Sequence, residues 1–273
     1  MKRAFVIGHP ITHSRSPLIH NYWLKLYGIK GSYEAIDVPS DDIEAFFERM
    51  RAGEFVGGNV TIPNKELAYS LCDERDQLAE TICAVNTLEC SGGLVFGSNT
   101  DYLGFLGNLD QNASGWDKGL KEVIVLGAGG ASRAVLVALK SRNIPSIRLL
   151  NRTIEKAEDV AMDLEGPIRA GRLAEFAEHA PNAGLVVNCT SIGMHGSSFE
   201  DIDLGRLPKT ALVTDIVYVP LVTPLLAEAQ RLGLRTVDGL GMLLHQAVPG
   251  FKAWFGKTPE VTAELRQLVE ASL

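Results

Sequence analysis

A short apolar segment that leads directly into a glycine-rich turn and a helical pattern most limits the folds open to this chain. It reads Val123-Ile124-Val125-Leu126-Gly127-Ala128-Gly129-Gly130-Ala131-Ser132-Arg133. Gly127 permits a sharp turn, and Gly129 leaves no side chain between the backbone and a pyrophosphate. Free N–H groups at the start of the helix would face that anion. The pattern predicts a dinucleotide-binding loop formed by Gly127, Ala128, Gly129, Gly130 and Ala131.

The same motif leaves one alternative open, because a glycine loop alone is also typical of a plain turn. Ser132 stands where the fingerprint GxGxxG would have its third glycine. The flanking strand and helix patterns favour dinucleotide binding. The next strand ends at Asn151, where an NAD site usually carries an acidic residue. Arg152, Thr153 and Lys156 follow it instead and favour the 2′-phosphate of NADP, although a solvated helix start would explain them too.

Strand-like and helical patterns alternate along the whole chain. Apolar runs at 4–7, 32–38 and 55–60 alternate with helical periods, and a second alternation starts near Leu120. A hairpin is predicted over 85–97. The fold class is therefore α/β, with mainly parallel sheets covered by helices. The length of 273 residues is typical of about two domains, and the polar, glycine-bearing stretch 108–119 is a candidate boundary.

Composition and charge exclude several classes of protein. With 46% hydrophobic and 22% charged residues, the chain is neither wholly disordered nor fibrous. Its net charge of −7 disfavours non-specific binding to nucleic acid. The apolar run at the start of the sequence is too short for the core of a signal peptide, and no apolar segment is long enough for a membrane helix. The four cysteines lack metal-ligand spacing, so we expect free thiols, no metal and a cytoplasmic location.

A dense group of small polar residues follows the first predicted strand. Ser14 and Ser16 lie two residues apart, just before a helix that Pro17 initiates. Hydroxyls at a helix N-terminus suit a carboxylate ligand. The alternative is that Ser16 simply caps the helix, and both roles are compatible.

Polar residues also end several strands in the first half of the chain. They are Asn59 and Thr61 with the nearby Lys65, then Asn86, and finally Asp101. Because such groups are costly to bury without partners, their position suggests a polyhydroxylated ligand at the strand ends. Lys65 and Asp101 form a natural acid–base pair. A purely structural salt bridge is the alternative.

Taken together, the motifs resemble those of the shikimate dehydrogenase family. The matching segments are GHPITHSRSPLIHN, NVTIPNK, AVNT, GSNTD, GAGGASRA, NRT, NCTSIGM and DGLGMLLHQA, in this order. They cover the chain from Phe5 to about Gly256. The resemblance implies an oxidoreductase of aromatic amino-acid biosynthesis. Its reaction is the reversible, NADP-dependent reduction of 3-dehydroshikimate to shikimate.

The resemblance also implies roles for individual residues. Lys65 and Asp101 would form the catalytic pair, with Lys65 usually assigned the proton transfer. Ser14 and Ser16 would bind the substrate carboxylate, with Tyr218 nearby. The residues that would bind ring hydroxyls are Asn59, Thr61, Asn86, Asp101 and Gln246. Those that would bind NADP are Gly127 through Ala131, Asn151, Arg152, Thr153, Lys156, Thr190, Ile216 and Gly239. Ile216 stands where a methionine is common, which keeps the surface apolar.

The resemblance further implies two α/β domains with a deep cleft between them. Residues 1–101 with 239–273 would form the substrate-binding catalytic domain, and residues 102–238 a Rossmann-type NADP-binding domain. A quinate/shikimate dehydrogenase that also uses NAD is the nearest alternative, and a non-catalytic cofactor-binding regulator is another. We expect a small-molecule substrate and neither nucleic acid nor membrane as partner. The family contains monomers and dimers, so a homodimer is left open.

Overall fold

The computed structural model describes residues 1–273 apart from the side chain of His195. The chain forms two compact units. The first consists of Met1–Asp101 and Leu244–Ser272, and the second of Tyr102–Leu243. Among the described residues, no helix has the length and apolar character needed to cross a membrane.

The first unit contains six strands and the helices between them. The strands are β1 (Lys2–Gly8), β2 (Gly31–Asp37), β3 (Gly57–Val60), β4 (Glu74–Arg75), β5 (Thr87–Ser91) and β6 (Leu94–Ser98). The helices before the division are α1 (Ser16–Leu26), α2 (Ile43–Arg51), α3 (Lys65–Leu71) and α4 (Gln77–Ile82). Helix α5 (Asp101–Asn112) begins at the division between the units.

The sheet of the first unit is mixed, in the order β2-β1-β3-β5-β6-β4. β1 pairs in parallel with β2 and β3, whereas β5 is antiparallel to both β3 and β6. β4 pairs in parallel with β6, so three of the five pairings are parallel and the prediction of a mainly parallel sheet is confirmed. The predicted hairpin is confirmed as well, because the short turn at Gly92 and Gly93, both with positive φ, returns the chain from β5 to β6 as an antiparallel neighbour.

The second unit contains the remaining strands and most of the remaining helices. The strands are β7 (Glu122–Leu126), β8 (Ile147–Asn151), β9 (Ile168–Arg172), β10 (Ala183–Asn188), β11 (Ile192–His195), β12 (Leu212–Asp215) and β13 (Arg235–Val237). The helices are α6 (Gly130–Ser141), α7 (Ile154–Leu164), α8 (Phe176–His179) and α9 (Pro224–Arg231). Helix α10 (Leu240–Phe255) runs across the second division, and α11 (Ala263–Glu270) belongs to the first unit.

The sheet of the second unit is wholly parallel, in the order β13-β12-β10-β7-β8-β9. The first strand of this unit, β7, lies in the middle of the sheet. From β7 the strand order runs outward to one edge through β8 and β9 and then to the other edge through β10, β12 and β13, as in the Rossmann fold. Alternate residues of β7 enter opposite cores. Val123 and Val125 belong to one apolar cluster, and Ile124 and Leu126 to the other. Both faces are covered, which explains the uninterrupted apolar run.

Two local predictions were wrong. Ser16 is the first residue of α1 and not its N-cap, which is Arg15, and the side chain of Arg15 makes no capping hydrogen bond. The units divide after Asp101 and not within the predicted stretch 108–119, because α5 continues through Asn112 as part of the second unit.

Candidate active site

Lys65 and Asp101 meet in the first unit, although 36 residues separate them in sequence. Lys65 begins α3 just after β3, and Asp101 begins α5 just after β6. The Nζ atom of Lys65 lies 2.6 Å from Oδ2 of Asp101. The two side chains are 28% and 14% exposed, so the pair is sheltered but reachable by a small molecule. A charge-assisted hydrogen bond of this kind fixes the orientation of the ammonium group.

Asn86 holds the other oxygen of that carboxylate. Its Nδ2 donates to Oδ1 of Asp101 (2.7 Å), while its Oδ1 accepts from the backbone N–H of Thr100 (2.8 Å). Thr100 Oγ1 in turn donates to the backbone oxygen of Gln246 (2.8 Å). Asn86, Thr100 and Gln246 are all buried. The Asp101 carboxylate is therefore fixed from both sides, and α10 is tied to the same group of residues.

Asn59 is more fully engaged than its sequence pattern suggests. Its Nδ2 donates to Asn86 O (3.1 Å) and Thr87 Oγ1 (3.2 Å), and its Oδ1 accepts from the hydroxyl of Tyr33 (2.6 Å). Both amide hydrogens of Asn59 are thus used within the protein, which leaves one lone pair of Oδ1. Burial raises the pKa of Tyr33, and hydrogen bonds to Ser16 and Asn59 oppose that rise.

Sequence reasoning did not single out Tyr33 or Thr87. Tyr33 lies in β2 and is 3% exposed, and Thr87 begins β5 at 2% exposure. Each residue looks like an ordinary strand residue in sequence, because β-branched and aromatic side chains are common in strands. The one available signal for Thr87 was its place in the motif AVNT, directly after Asn86.

Ser14 and Ser16 are held together at the start of α1. The backbone N–H of Ser16 donates to Oγ of Ser14 (3.3 Å), and Ser16 is buried while Ser14 is half-buried. Arg15, between them, donates from Nη2 to the backbone oxygen of Ser272 (2.5 Å). The segment after α11 thereby anchors the loop that carries both serines.

The other predicted substrate residues lie in two loops and one helix. Thr61 follows β3, and its hydroxyl has no hydrogen-bond partner among the described residues. Gln246 lies in α10 in the first unit, at 8% exposure. Tyr218 lies between β12 and α9 in the second unit and is half-buried.

The glycine turn between β7 and α6 has room for a ligand. Gly127 has φ of +98°, and a Cβ there would lie 2.6 Å from Cγ2 of Thr190. At Gly129 and Gly130, by contrast, a Cβ would meet nothing within 4 Å. Ser132, where a third glycine was expected, is buried and donates its hydroxyl to Gly129 O (2.6 Å), which tightens the turn.

The end of β8 lies beside this turn. Asn151 Oδ1 accepts from the backbone N–H of Ala128 (3.3 Å), and its Nδ2 donates to Thr153 O (2.7 Å). Arg152 and Lys156 are exposed, and neither forms an ion pair or hydrogen bond with another described residue. Thr153 is the N-cap residue of α7 but makes no side-chain cap bond. Two unpaired cations thus follow Asn151, the residue at the end of β8 that contacts the glycine turn.

Thr190, Ile216 and Gly239 lie on neighbouring loops of the second unit. Thr190 follows β10 and Ile216 follows β12, strands that pair directly. A Cβ on Gly239 would come within 2.6 Å of the backbone oxygen of Ile216, so the two segments touch. Asn188 and Asp215, which end those strands, were not singled out from the sequence although each is a buried polar residue after an apolar run.

The second unit therefore fits a dinucleotide phosphate on its own geometry. The open space at Gly129 and Gly130, the N-terminus of α6 and the unpaired Arg152 and Lys156 are the features such an anionic group requires. No acidic residue lies in the first turn of α6 to repel it. In the part of the chain that the structure describes, no three His, Cys, Asp or Glu side chains are grouped as metal ligands.

Comparison with known families covers both units. Residues 6–88 match the family described as shikimate dehydrogenase substrate binding domain. Residues 111–242 match shikimate / quinate 5-dehydrogenase, and residues 239–269 match the shikimate 5′-dehydrogenase C-terminal domain. A curated relative, shikimate dehydrogenase (NADP(+)) of Chelativorans sp. strain BNC1, is 53% identical over 273 residues. That alignment covers 100% of this chain and 97% of the relative.

Solved structures are similar over the whole chain as well. The shikimate 5-dehydrogenase of Thermus thermophilus, in complex with NADP(H) and shikimate, gives a TM-score of 0.90 at 35% identity and full coverage of both chains. The quinate dehydrogenase of Corynebacterium glutamicum, in complex with NAD, gives a TM-score of 0.91 at 28% identity, covering 100% of this chain and 99% of that one. The present chain belongs to the shikimate dehydrogenase family.

Proposed function

We propose that this chain is an oxidoreductase that catalyses the reversible, NADP-dependent reduction of 3-dehydroshikimate to shikimate, a step of aromatic amino-acid biosynthesis. The observation that carries the proposal is the 2.6 Å contact between Lys65 Nζ and Asp101 Oδ2. The full-length similarity to shikimate dehydrogenases that use NADP supports the choice of substrate and cofactor.

Lys65 is the proton-transfer residue in this proposal. In the reducing direction its ammonium group donates a proton to the carbonyl oxygen that becomes the hydroxyl, and the reverse reaction returns the proton. Asp101 holds the ammonium in place through Oδ2, and Asn86 holds Asp101 through Oδ1. A donor fixed before the reaction loses less entropy in reaching the transition state.

The substrate contacts are assigned by chemistry. The hydroxyls of Ser14 and Ser16, at the start of α1, bind the carboxylate, and Tyr218 contributes to the same group. The ring hydroxyls are bound by Asn59, Thr61, Asn86, Asp101 and Gln246. The free hydroxyl of Thr61 supports its direct role. Asn59 contributes the remaining lone pair of its Oδ1 and also holds Asn86 through the backbone.

NADP binds to the second unit in this proposal. Residues 127–131 hold its pyrophosphate, and Asn151, Arg152, Thr153 and Lys156 hold its 2′-phosphate. Thr190, Ile216 and Gly239 line the nicotinamide side. When bound, NADP supplies or accepts the hydride. Arg152 binds the 2′-phosphate through its planar fork of donors, which matches the geometry of that group.

The second candidate function is the oxidation of quinate with NAD. The similarity to the Corynebacterium quinate dehydrogenase structure is the observation that favours testing it. Initial rates with shikimate and with quinate, each with NADP⁺ and with NAD⁺, separate the two candidates through the absorbance of the reduced nicotinamide. We expect the highest kcat/KM for shikimate with NADP⁺. No turnover with any of the four pairs would favour a non-catalytic regulator and would refute the proposal.

The division of labour between the units is also proposed. Residues 1–101 with 239–273 bind the substrate, and residues 102–238 bind NADP. The separate compactness of two units with similar limits supports this division. We propose a cytoplasmic enzyme that has a small-molecule substrate and binds neither nucleic acid nor membranes. Sedimentation velocity tests whether it assembles as a homodimer.

A further inference from the structure

A buried carboxylate in the second unit has no part in the reaction as described so far. Asp215 ends β12 and is 1% exposed. It accepts hydrogen bonds from Asn188 Nδ2 (2.9 Å), Val217 N (2.9 Å) and Thr223 Oγ1 (2.7 Å). No Lys, Arg or His pairs with it among the described residues. Burying an acidic group in this way is costly, so its contacts call for a structural or functional reason.

Asn188 connects this carboxylate to the loop after β10. Its Nδ2 also donates to Ile192 O (2.8 Å), and its Oδ1 accepts from the N–H and the Oγ1 of Thr190 (2.9 and 2.8 Å). Thr190 Oγ1 then accepts from the N–H of Ile192 (3.0 Å). Both amide hydrogens and both lone pairs of Asn188 are used. The loop 189–193 is therefore held in one conformation.

The same carboxylate holds the loop after β12. The N–H of Val217 donates to Asp215 Oδ1, which turns the chain sharply after the strand. This bond fixes the segment that contains Ile216 and continues to Tyr218. Thr223 reaches the other oxygen, and its side chain also caps α9 by accepting from Leu226 N. Asp215 thus links three segments of the second unit.

We propose that Asp215 is a positioning residue for the cofactor reaction, which through Asn188 and Val217 holds Thr190 and Ile216 in the conformation that binds the nicotinamide side. The inference rests on the proposed function, because that function assigns Thr190 and Ile216 to NADP. Asp215 itself touches neither of their side chains in the hydrogen-bond network and acts through its partners. A carboxylate that accepts three hydrogen bonds from separate segments can anchor two loops at once.

A purely structural role makes a different prediction. If Asp215 served only stability, loss of one donor would lower the melting temperature and leave the affinity for NADP⁺ unchanged. If it positions the loops, the same loss also weakens NADP⁺ binding and loosens the backbone at 189–193 and 216–217. The two roles are therefore separated by a binding measurement on variants of matched stability.

Thr223→Val provides the test, and Thr262→Val is its matched control. Thr223→Val removes one donor to Asp215 together with the cap of α9 and nearly keeps the side-chain shape. Thr262 caps α11 in the same way, by accepting from Leu265 N, but Thr262→Val touches no part of the Asp215 network. Thr223→Ser keeps the hydroxyl and serves as the rescue variant. Asp215→Asn, an isosteric change that removes the charge, replaces Thr223→Val if that variant does not fold.

The measurements are the Kd for NADP⁺ by titration calorimetry, the hydrogen exchange of 189–193 and 216–217 without ligand, and the Tm. We expect Thr223→Val to raise the Kd about tenfold, as a small misplacement of contact groups does, and to speed exchange in both loops. Asp215→Asn should act in the same direction. Thr223→Ser should stay within about twofold of wild type. Thr262→Val should lower the Tm without changing the Kd.

The outcomes separate this inference from the proposed function. If the wild-type chain oxidises shikimate with NADP⁺ but Thr223→Val binds NADP⁺ as tightly as Thr262→Val, the positioning role is overturned while the function stands. If the wild-type chain binds no NADP⁺ at all, both are refuted. A raised Kd with accelerated exchange confined to the two loops supports the positioning role.

Discussion

The Nζ atom of Lys65 lies 2.6 Å from Oδ2 of Asp101, and Asn86 holds the opposite oxygen of the same carboxylate. This arrangement separates two roles that a lysine–aspartate pair could share. In the proposed function the lysine moves a proton only when the reaction occurs, whereas the aspartate also contacts the substrate before the reaction. Variants of the two residues should therefore differ in their kinetics.

Lys65→Ala should lower kcat by about a hundredfold to ten-thousandfold and change the KM for shikimate much less, because proton transfer belongs to the transition state. Asp101→Ala should lower kcat and also raise KM, since it removes both the orientation of Lys65 and a substrate contact. Steady-state kinetics with saturating NADP⁺ measures both. Lys30→Ala, an exposed lysine away from the pair in sequence, is the control and should behave as wild type. Near-normal kcat in Lys65→Ala would show that the role assignment is wrong.

Arg152→Ala should reduce the preference for NADP⁺ over NAD⁺. Arg152 has no partner among the described residues, so its guanidinium is available to a 2′-phosphate. A hydrogen bond to a charged group contributes about 1.5–3 kcal/mol, which predicts a rise in KM for NADP⁺ of about tenfold to a hundredfold. The KM for NAD⁺, which lacks that phosphate, should hardly change.

Arg169→Ala is the matched control for Arg152. Arg169 is an exposed arginine in β9, and its register partner Arg148 lies near the start of β8, whereas Arg152 follows the end of β8. It should leave both KM values unchanged. Equal losses of NADP⁺ and NAD⁺ affinity in Arg152→Ala would mean that the residue does not read the 2′-phosphate.

Gly127 and Gly129, in the glycine turn between β7 and α6, should respond differently to substitution by alanine. At Gly127, φ of +98° and the close Thr190 methyl predict strain, with a loss of about 1–3 kcal/mol in the free energy of unfolding. At Gly129 a Cβ meets nothing, so Gly129→Ala should leave Tm near wild type but weaken NADP⁺ binding by entering the pyrophosphate space. Thermal unfolding and titration calorimetry distinguish the two. A Gly129→Ala variant that binds NADP⁺ normally would contradict the assigned pyrophosphate position.

His20 should make the first unit sensitive to acid. The ring is fully buried, stacks on Tyr33 with centroids 4.1 Å apart, and burial lowers its pKa from 6.5 to about 3. Between these two pKa values the unfolded chain binds a proton that the folded chain does not. His20 therefore leaves the free energy of unfolding undiminished above about pH 6.5 and lowers it progressively as the pH falls towards 3.

His20→Phe keeps a planar ring and removes this proton site. The contribution of His20 amounts to about 1.4 kcal/mol per pH unit below pH 6, so the variant should lose that part of the pH dependence. Urea unfolding at pH 7, 6 and 5 measures the difference between variant and wild type. His13→Gln, at an exposed histidine, should retain the wild-type slope. An unchanged slope in His20→Phe would rule out His20 as the source.

Local patterns in the sequence predicted much of the second unit. The strand Glu122–Leu126 and the helix Gly130–Ser141 lie where the apolar run and the glycine turn placed them. Both depend on neighbours in sequence, namely a run long enough for a strand covered on two faces and a helix started by small residues. In the first unit, the same reasoning missed the antiparallel pairing of β3 with β5, because nothing local specifies which strand lies beside which.

In the candidate site, too, the sequence predicts the residue types but not which side chains meet. The sequence by itself determined the α/β class, the glycine turn and the polar strand ends that include Lys65 and Asp101, because these follow from side-chain period and residue type. Only the tertiary structure decided that Lys65 meets Asp101, that Tyr33 and Thr87 occupy the amide of Asn59, and that Asp215 joins two loops. Apart from the local bond between Val217 and Asp215, each of these contacts joins residues on different elements. Its geometry depends on strand register and on the burial that forces polar groups to find partners.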